Sequence, residues 1–128
     1  MKKILKSHHP KRHAKSFKFA FDGLLHTLLN EPNFRVQLVI AAAVVYFGFK
    51  FSISYIEWGL LTISLGLLLS AEMINTVVEN FIDELIKIES ERAKIIKDVS
   101  AGFVLISAII AFILILLIFW EHVFQFFI

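Results

Sequence analysis

Residues 71–83 read AEMINTVVENFID and put acidic side chains at the end of a long apolar run. The polar members of this segment are Glu72, Asn75, Thr76, Glu79 and Asp83. At about 100° per residue, all except Asn75 fall within about 40° of Glu72 on one helix face, and Asn75 lies about 60° to the side. We call this row the acidic stripe. It predicts a helix whose polar edge points into a bundle, since a carboxylate in the bilayer interior costs roughly 2.5–3.5 kcal/mol.

The rest of the chain is also strongly apolar. Of its 128 residues, 58% are hydrophobic and 19% are charged, and none is cysteine. Three hydrophobic stretches, at about residues 34–49, 55–85 and 100–120, are long enough to cross about 30 Å of hydrocarbon. Little chain remains for a soluble domain. We therefore predict an all-α integral membrane protein with three transmembrane helices, and the missing cysteines exclude disulfides and thiol chemistry.

The N-terminal region is basic and amphipathic. Residues 1–11 predict a flexible basic tail, and residues 12–128 a single membrane domain. Between Arg12 and Asn30 the apolar residues recur at helical spacing, which predicts an amphipathic helix lying along the membrane surface. Phe19 falls on the polar side of this helix. It therefore packs either on a neighbouring helix or on something other than lipid.

The basic residues also predict the orientation. They are concentrated in the first eighteen residues and between Lys87 and Lys97. Because such residues stay on the cytoplasmic side, the N-terminus and the loop at 87–98 are expected there. A nucleic-acid-binding arm has a similar composition, but in a membrane protein a topogenic signal is the simpler interpretation, and we predict no nucleic-acid partner.

Three explanations of the acidic stripe remain open from the residues alone. It can fix helix packing through a buried carboxylate, carry ions or protons, or bind magnesium and phosphate. Its position near one end of the span, beside a loop rich in Lys and Asp, favours phosphate chemistry at the membrane interface. In that interpretation Glu31 and Glu79 bind Mg²⁺, Lys97 neutralises phosphate charge, and Glu72 is the base. No GxxxxGK[ST] loop, protein-kinase motif or GxGxxG occurs.

The stripe and its surroundings resemble a known family signature. The matching residues are Glu72-x-x-Asn75-Thr76-x-x-Glu79-x-x-x-Asp83 and Lys97-Asp98-x-x-Ala101-Gly102, with Phe19-Ala20-x-x-Gly23-Leu24 and Asn30-Glu31-x-x-Phe34-Arg35 upstream. Over residues 12–120 this pattern resembles the small bacterial integral-membrane lipid kinases, the prokaryotic diacylglycerol kinase and undecaprenol kinase family.

The resemblance implies an ATP- and Mg²⁺-dependent lipid kinase. Such an enzyme transfers the γ-phosphate of ATP to a lipid hydroxyl, and converts diacylglycerol to phosphatidate or undecaprenol to undecaprenyl phosphate. The family implies a homotrimer in the bacterial cytoplasmic membrane, with active sites shared between chains on the cytoplasmic face. An ion-coupled transporter or a helical membrane scaffold is the alternative that the residues alone leave open.

Site residues are also implied by the resemblance. Glu72 corresponds to the catalytic base, and Glu31 and Glu79 to the magnesium ligands. The implied nucleotide contacts are Arg12, Phe19, Glu31, Asn75, Glu79, Lys97 and Asp98, and the implied lipid contacts are Glu72, Asn33 and Arg35. Three features depart from the commonest pattern or vary within the family: residues 88–90 lack an acidic-histidine loop, Phe19 replaces tyrosine, and Ala101-Gly102 resembles the undecaprenol branch.

Overall fold

Four helices follow one another along the chain. The computed structural model describes residues 10–88 and 90–127, with side chains from residue 14 to residue 124 apart from residue 89. The helices are α1 (Pro10–Asn30), α2 (Pro32–Lys50), α3 (Tyr55–Leu85) and α4 (Glu91–Phe127). This described part contains no strand. The predicted all-α class is therefore confirmed.

The bounds of α3 coincide with the predicted 55–85 because a capping box starts the helix. The Glu57 backbone N–H donates to Ser54 Oγ at 3.3 Å, and the Ser54 N–H donates to Glu57 Oε2 at 2.6 Å. This reciprocal pair satisfies donors that the first helical turn leaves open. The 31 residues of α3 reach about 46 Å at about 1.5 Å per residue. One end of α3 must therefore extend beyond about 30 Å of hydrocarbon.

The other helices are longer than predicted. α1 begins at Pro10 instead of residue 12, which suits proline at the first helical position, while residues 1–9 of the predicted tail lie outside the described residues. α2 covers Pro32–Lys50 instead of 34–49. α4 begins at Glu91 instead of residue 100 and ends at Phe127 instead of 120. The Ala93 N–H donates to Ser90 Oγ at 3.1 Å, so Ser90 caps this early start.

The chain divides between Pro32 and Asn33 into two units. The first unit contains α1, in which Thr27 Oγ1 donates to the Gly23 carbonyl at 3.1 Å. The Phe19 ring is exposed, and Lys15 Nζ lies 5.6 Å from its centroid. A lysine over an aromatic face is a cation–π contact.

The second unit is built from three helices that are each long and apolar enough to cross a membrane. Their shared core contains Ala41, Val44, Ile53, Leu61, Leu65 and Ile118. Two small side chains, Ala71 of α3 and Ala111 of α4, are at most 2% exposed. Many large apolar side chains instead face outward, as expected of helices in lipid. The core therefore joins side chains of α2, α3 and α4.

The beginning of α3 is also tied to α4. His122 Nε2 lies 3.1 Å from Glu57 Oε1, and the Phe51 ring stacks on the His122 ring at 6.3 Å. Gly48 of α2 lies against Trp58. We call this region, defined by Ser54, Glu57 and His122, the capped end of α3, and the region from Glu72 to Leu85 the acidic end.

Candidate functional site

Glu72 is the most deeply buried carboxylate of the acidic stripe. Glu72 is only 3% exposed, and Gln37 Nε2 of α2 donates to its Oε2 at 2.8 Å. Thr76 Oγ1 donates to the Glu72 backbone carbonyl at 3.1 Å. At Glu72 the stripe therefore points inward, as predicted. A buried, hydrogen-bonded carboxylate beside apolar surroundings is suited to take a proton from a lipid hydroxyl.

One helical turn further on, Asn75 supports Glu79. Asn75 Nδ2 donates to Glu79 Oε1 at 3.0 Å. Asn75 is 9% exposed, and its Oδ1 is buried without a hydrogen-bond partner. Glu79 itself is half-buried. The amide therefore fixes one carboxylate oxygen and leaves its own oxygen available.

These oxygens are of the kind that Mg²⁺ prefers. In phosphate-transfer sites Mg²⁺ is usually held by one or two carboxylates together with phosphate oxygens of the substrate. Among the described side chains, residues 14–88 and 90–124, no group of three or more His, Asp and Glu is placed to hold a metal ion. Glu79 and the unpartnered Asn75 Oδ1 thus fit a cation shared with a phosphate group better than one held by protein alone.

At the acidic end, Lys97 of α4 reaches back to α3. Its Nζ lies 2.7 Å from Asp83 Oδ1 and 3.0 Å from Asp83 Oδ2. The Lys97 side chain is 33% exposed and that of Asp83 64%. The ion pair therefore places a cation next to the stripe, although an exposed pair of this kind stabilises the fold by only about 0–1 kcal/mol.

An open groove lies between the last turns of α3 and the first turns of α4. Its volume is about 720 Å³, which falls within the range of about 300–1,000 Å³ typical of ligand pockets. The polar and charged residues that line it are Asp83, Lys87, Ser90, Glu91, Lys94, Lys97 and Asp98. Lys97 and Asp98 were predicted site residues. Lys87 and Lys94 were not named as site residues, although the Lys- and Asp-rich loop that contains them was interpreted as favouring phosphate chemistry.

The roles predicted for the α2 residues Asn33 and Arg35 stay predictions. Asn33 and Arg35 were predicted lipid contacts, and both are exposed at the start of α2. The α2 side chain that reaches Glu72 is Gln37, which the sequence reasoning missed. Its only signal was a single amide within the apolar stretch VQLV.

The remaining predicted residues belong to the first unit. Phe19 stands over Lys15, as described above. Glu31 is half-buried at the junction of α1 and α2, where its backbone N–H donates to the Thr27 carbonyl at 2.9 Å. The side chain of Arg12 lies outside the described residues. The nucleotide and metal roles of these three residues stay predictions.

Comparisons with known proteins cover nearly the whole site. A family model described as prokaryotic diacylglycerol kinase matches residues 18–119. An undecaprenol kinase from Bacillus subtilis (strain 168) is 37% identical over 108 residues, which are 84% of this chain and 88% of that protein. A diacylglycerol kinase from Synechocystis is 31% identical over 99 residues, which are 77% of this chain and 57% of that protein.

Proposed function

Because the chain belongs to the prokaryotic diacylglycerol kinase family, we propose that this lipid kinase transfers the γ-phosphate of MgATP to a lipid hydroxyl, either undecaprenol or diacylglycerol. The observation that carries the proposal is the arrangement of α3. A buried carboxylate, Glu72, shares one helix with a half-buried carboxylate, Glu79, and Lys97 stands beside the stripe. Phosphoryl transfer needs these parts: a base, a metal ligand and a cation near the phosphates.

Glu72 has the role of base in this proposal. The lipid hydroxyl gives its proton to the Glu72 carboxylate while its oxygen forms a bond to the γ-phosphorus, and the bond from that phosphorus to the β-phosphate oxygen breaks to release ADP. Seven residues separate Glu72 from Glu79, which is about 10 Å along the helix axis. A lipid hydroxyl can therefore approach Glu72 from the apolar side while the phosphates remain toward the charged side.

The phosphates are oriented by residues at the acidic end. Glu79, with Glu31 as the second predicted ligand, would hold Mg²⁺, and the bound ion would neutralise charge on the phosphate oxygens. Asn75 keeps the Glu79 carboxylate in place through its Nδ2. Lys97 has three ammonium hydrogens, so it can keep Asp83 and still donate to a phosphate oxygen. Asp98 lines the groove, and the proposal extends the nucleotide contacts to Arg12 and Phe19.

Undecaprenol is our preferred acceptor. The undecaprenol kinase from Bacillus subtilis has both the higher identity and the longer coverage, 88% of its length against 57% for the diacylglycerol kinase. The Ala101-Gly102 pair after Lys97-Asp98 agrees with this choice. The product would be undecaprenyl phosphate, and diacylglycerol would be a poorer substrate.

The setting is proposed to be the bacterial cytoplasmic membrane. The acidic end of α3, with Lys87, Lys94 and Lys97, would face the cytoplasm because basic residues remain on that side.

We also propose a homotrimer with shared sites, in keeping with the many apolar side chains that face outward from the helices. Chemical crosslinking in mild detergent should then give a ladder that ends at three chains, and a ladder ending at two would contradict it.

The activity is tested by a phosphate-transfer assay on the purified protein. Undecaprenol and diacylglycerol are offered in parallel with γ-labelled ATP, and the products are separated by thin-layer chromatography. Label should appear chiefly in undecaprenyl phosphate, disappear on chelation, and return with added Mg²⁺. Absence of label from both lipids would contradict the kinase, and label chiefly in phosphatidate would contradict only the choice of acceptor.

A further inference from the structure

Gln37 is an unusual residue for its place in α2. From Val36 to Phe49 it is the only amide side chain, and burying an amide is costly unless its polar atoms are hydrogen-bonded. Its Nε2 donates to Glu72 Oε2 at 2.8 Å, across 35 residues of sequence. This bond links α2 to the acidic stripe, so it orients the Glu72 carboxylate from a second helix.

The amide oxygen of Gln37 has no hydrogen-bond partner. Gln37 Oε1 is buried and accepts no hydrogen bond, and the same is true of Asn75 Oδ1. Within the described side chains these are the two buried side-chain oxygens without a partner. One belongs to the residue that contacts Glu72, and the other lies one helical turn from Glu72. Buried acceptors without a donor are rare in folded proteins, so the unpartnered oxygen of the amide that contacts Glu72 calls for a donor that forms there.

The proposed reaction supplies such a donor. An ionised carboxylate only accepts hydrogen bonds, whereas a protonated one carries an O–H that donates. Before the reaction, Gln37 Nε2 donates to ionised Glu72. After Glu72 has taken the proton of the lipid hydroxyl, its O–H needs an acceptor. Rotation of the Gln37 amide by about 180° brings Oε1 to the place of Nε2, since an amide presents a donor and an acceptor in nearly the same shape.

We propose that Gln37 is a positioning residue that holds Glu72 in both protonation states, donating through Nε2 to the carboxylate and accepting through Oε1 from the acid. The proton leaves for water at the acidic end after the phosphorylated lipid departs. This inference rests on the proposed base role of Glu72 and adds a residue that neither the sequence reasoning nor the comparisons assign.

The test compares Gln37→Leu with a matched control. Leucine keeps similar bulk and removes both the donor and the acceptor. Ser107→Ala is the control, because Ser107 is buried at 1% exposure but donates only to Phe103 of its own helix. Gln37→Leu should lower kcat about 10- to 100-fold, a part of the usual effect of general base catalysis, and leave KM for MgATP within about twofold. Ser107→Ala should leave kcat within about twofold.

A double variant separates positioning from structure. If Gln37 acts through Glu72, adding Gln37→Leu to Glu72→Gln should cause no further loss, because residues that act as one unit are not additive. A residue with only a structural role would lower the remaining rate again. A full kcat in Gln37→Leu, or the same loss repeated in the Glu72→Gln background, would overturn the inference.

A spectroscopic measurement keeps the inference testable without turnover. The infrared difference between the wild-type protein and Glu72→Gln isolates the carboxylate band of Glu72. That band should shift when Gln37→Leu removes the Nε2 donor and should stay in place in Ser107→Ala. An unshifted band would overturn the inference whatever the activity. If the band shifts in Gln37→Leu but the wild-type protein phosphorylates no lipid, the proposed function is contradicted and the hydrogen bond is not.

Discussion

The two ends of α3 differ in the hydrogen bonds around a glutamate. At the capped end, Glu57 Oε2 accepts from the Ser54 N–H and Oε1 lies 3.1 Å from His122 Nε2, so both oxygens have partners. At the acidic end, Gln37 Nε2 donates to Glu72 Oε2, while Gln37 Oε1 and Asn75 Oδ1 have no hydrogen-bond partner. Both glutamates link α3 to another helix. The difference indicates that the capped end fixes the bundle, whereas the acidic end retains capacity for a ligand and a proton.

Glu72→Gln should have the largest effect on lipid phosphorylation. If activity does not fall, the comparison between the two ends of α3 fails. The glutamine keeps the size of the side chain but cannot take the proton of the lipid hydroxyl. We expect lipid phosphorylation to fall about 10²- to 10⁴-fold, the range that a general base contributes. The measurement is the rate of labelled lipid formation, with circular dichroism to show an unchanged helix content. Full activity in this variant would remove the base from the mechanism.

Lys97→Met should have the next largest effect. Removing one cation or donor from a developing phosphate charge costs about 10²–10³ in rate. The matched variant is Asp83→Asn, which breaks the ion pair but leaves the ammonium in the groove. It should retain activity within about tenfold, because the exposed pair itself contributes only about 0–1 kcal/mol. Equal losses in the two variants would show that the pair, and not the cation, matters.

The acidic stripe shows what the sequence predicts well. Periodicity placed Glu72, Glu79 and Asp83 on one face because a helix repeats regularly, and the length of the apolar run gave the bounds of α3. The bond from Lys97 to Asp83 joins residues 14 apart across a helix break. Its existence depends on the path of residues 86–90, which no periodic pattern specifies.

Other features depended on tertiary packing and were missed. Gln37 is one polar residue in an apolar helix, so its direction becomes visible only once α2 lies against α3. The early start of α4 was missed, because the charged residues at 87–98 were predicted to form a loop. The charged residues after Ser90 form helix readily. The contact of Glu57 with His122 spans 65 residues and had no sequence signal at all.

Gly48→Ala tests how tightly the capped end is packed. A Cβ atom at Gly48 would lie 2.7 Å from Trp58 Cη2 and 2.9 Å from Cζ2, and the Trp58 ring is backed by Phe49 at 4.8 Å. Overpacking of this kind costs about 1–3 kcal/mol. The free energy of unfolding in detergent should fall by that amount. Gly66→Ala is the control, because no atom lies within 4 Å of its added Cβ, and a loss of equal size there would contradict the packing argument.

Glu57→Gln completes the comparison with the smallest expected effect. Glutamine can still accept from the Ser54 N–H, but it loses the charge that strengthens this bond and the contact with His122. We expect the free energy of unfolding to fall by about 1 kcal/mol, as for the loss of a helix cap. Lipid phosphorylation should stay within about twofold of the wild-type rate. Since Glu72→Gln makes the same chemical change on the same helix, the pair isolates position as the variable. A loss of catalysis at Glu57 comparable to that at Glu72 would mean that the two ends do not differ in the way their hydrogen bonds indicate.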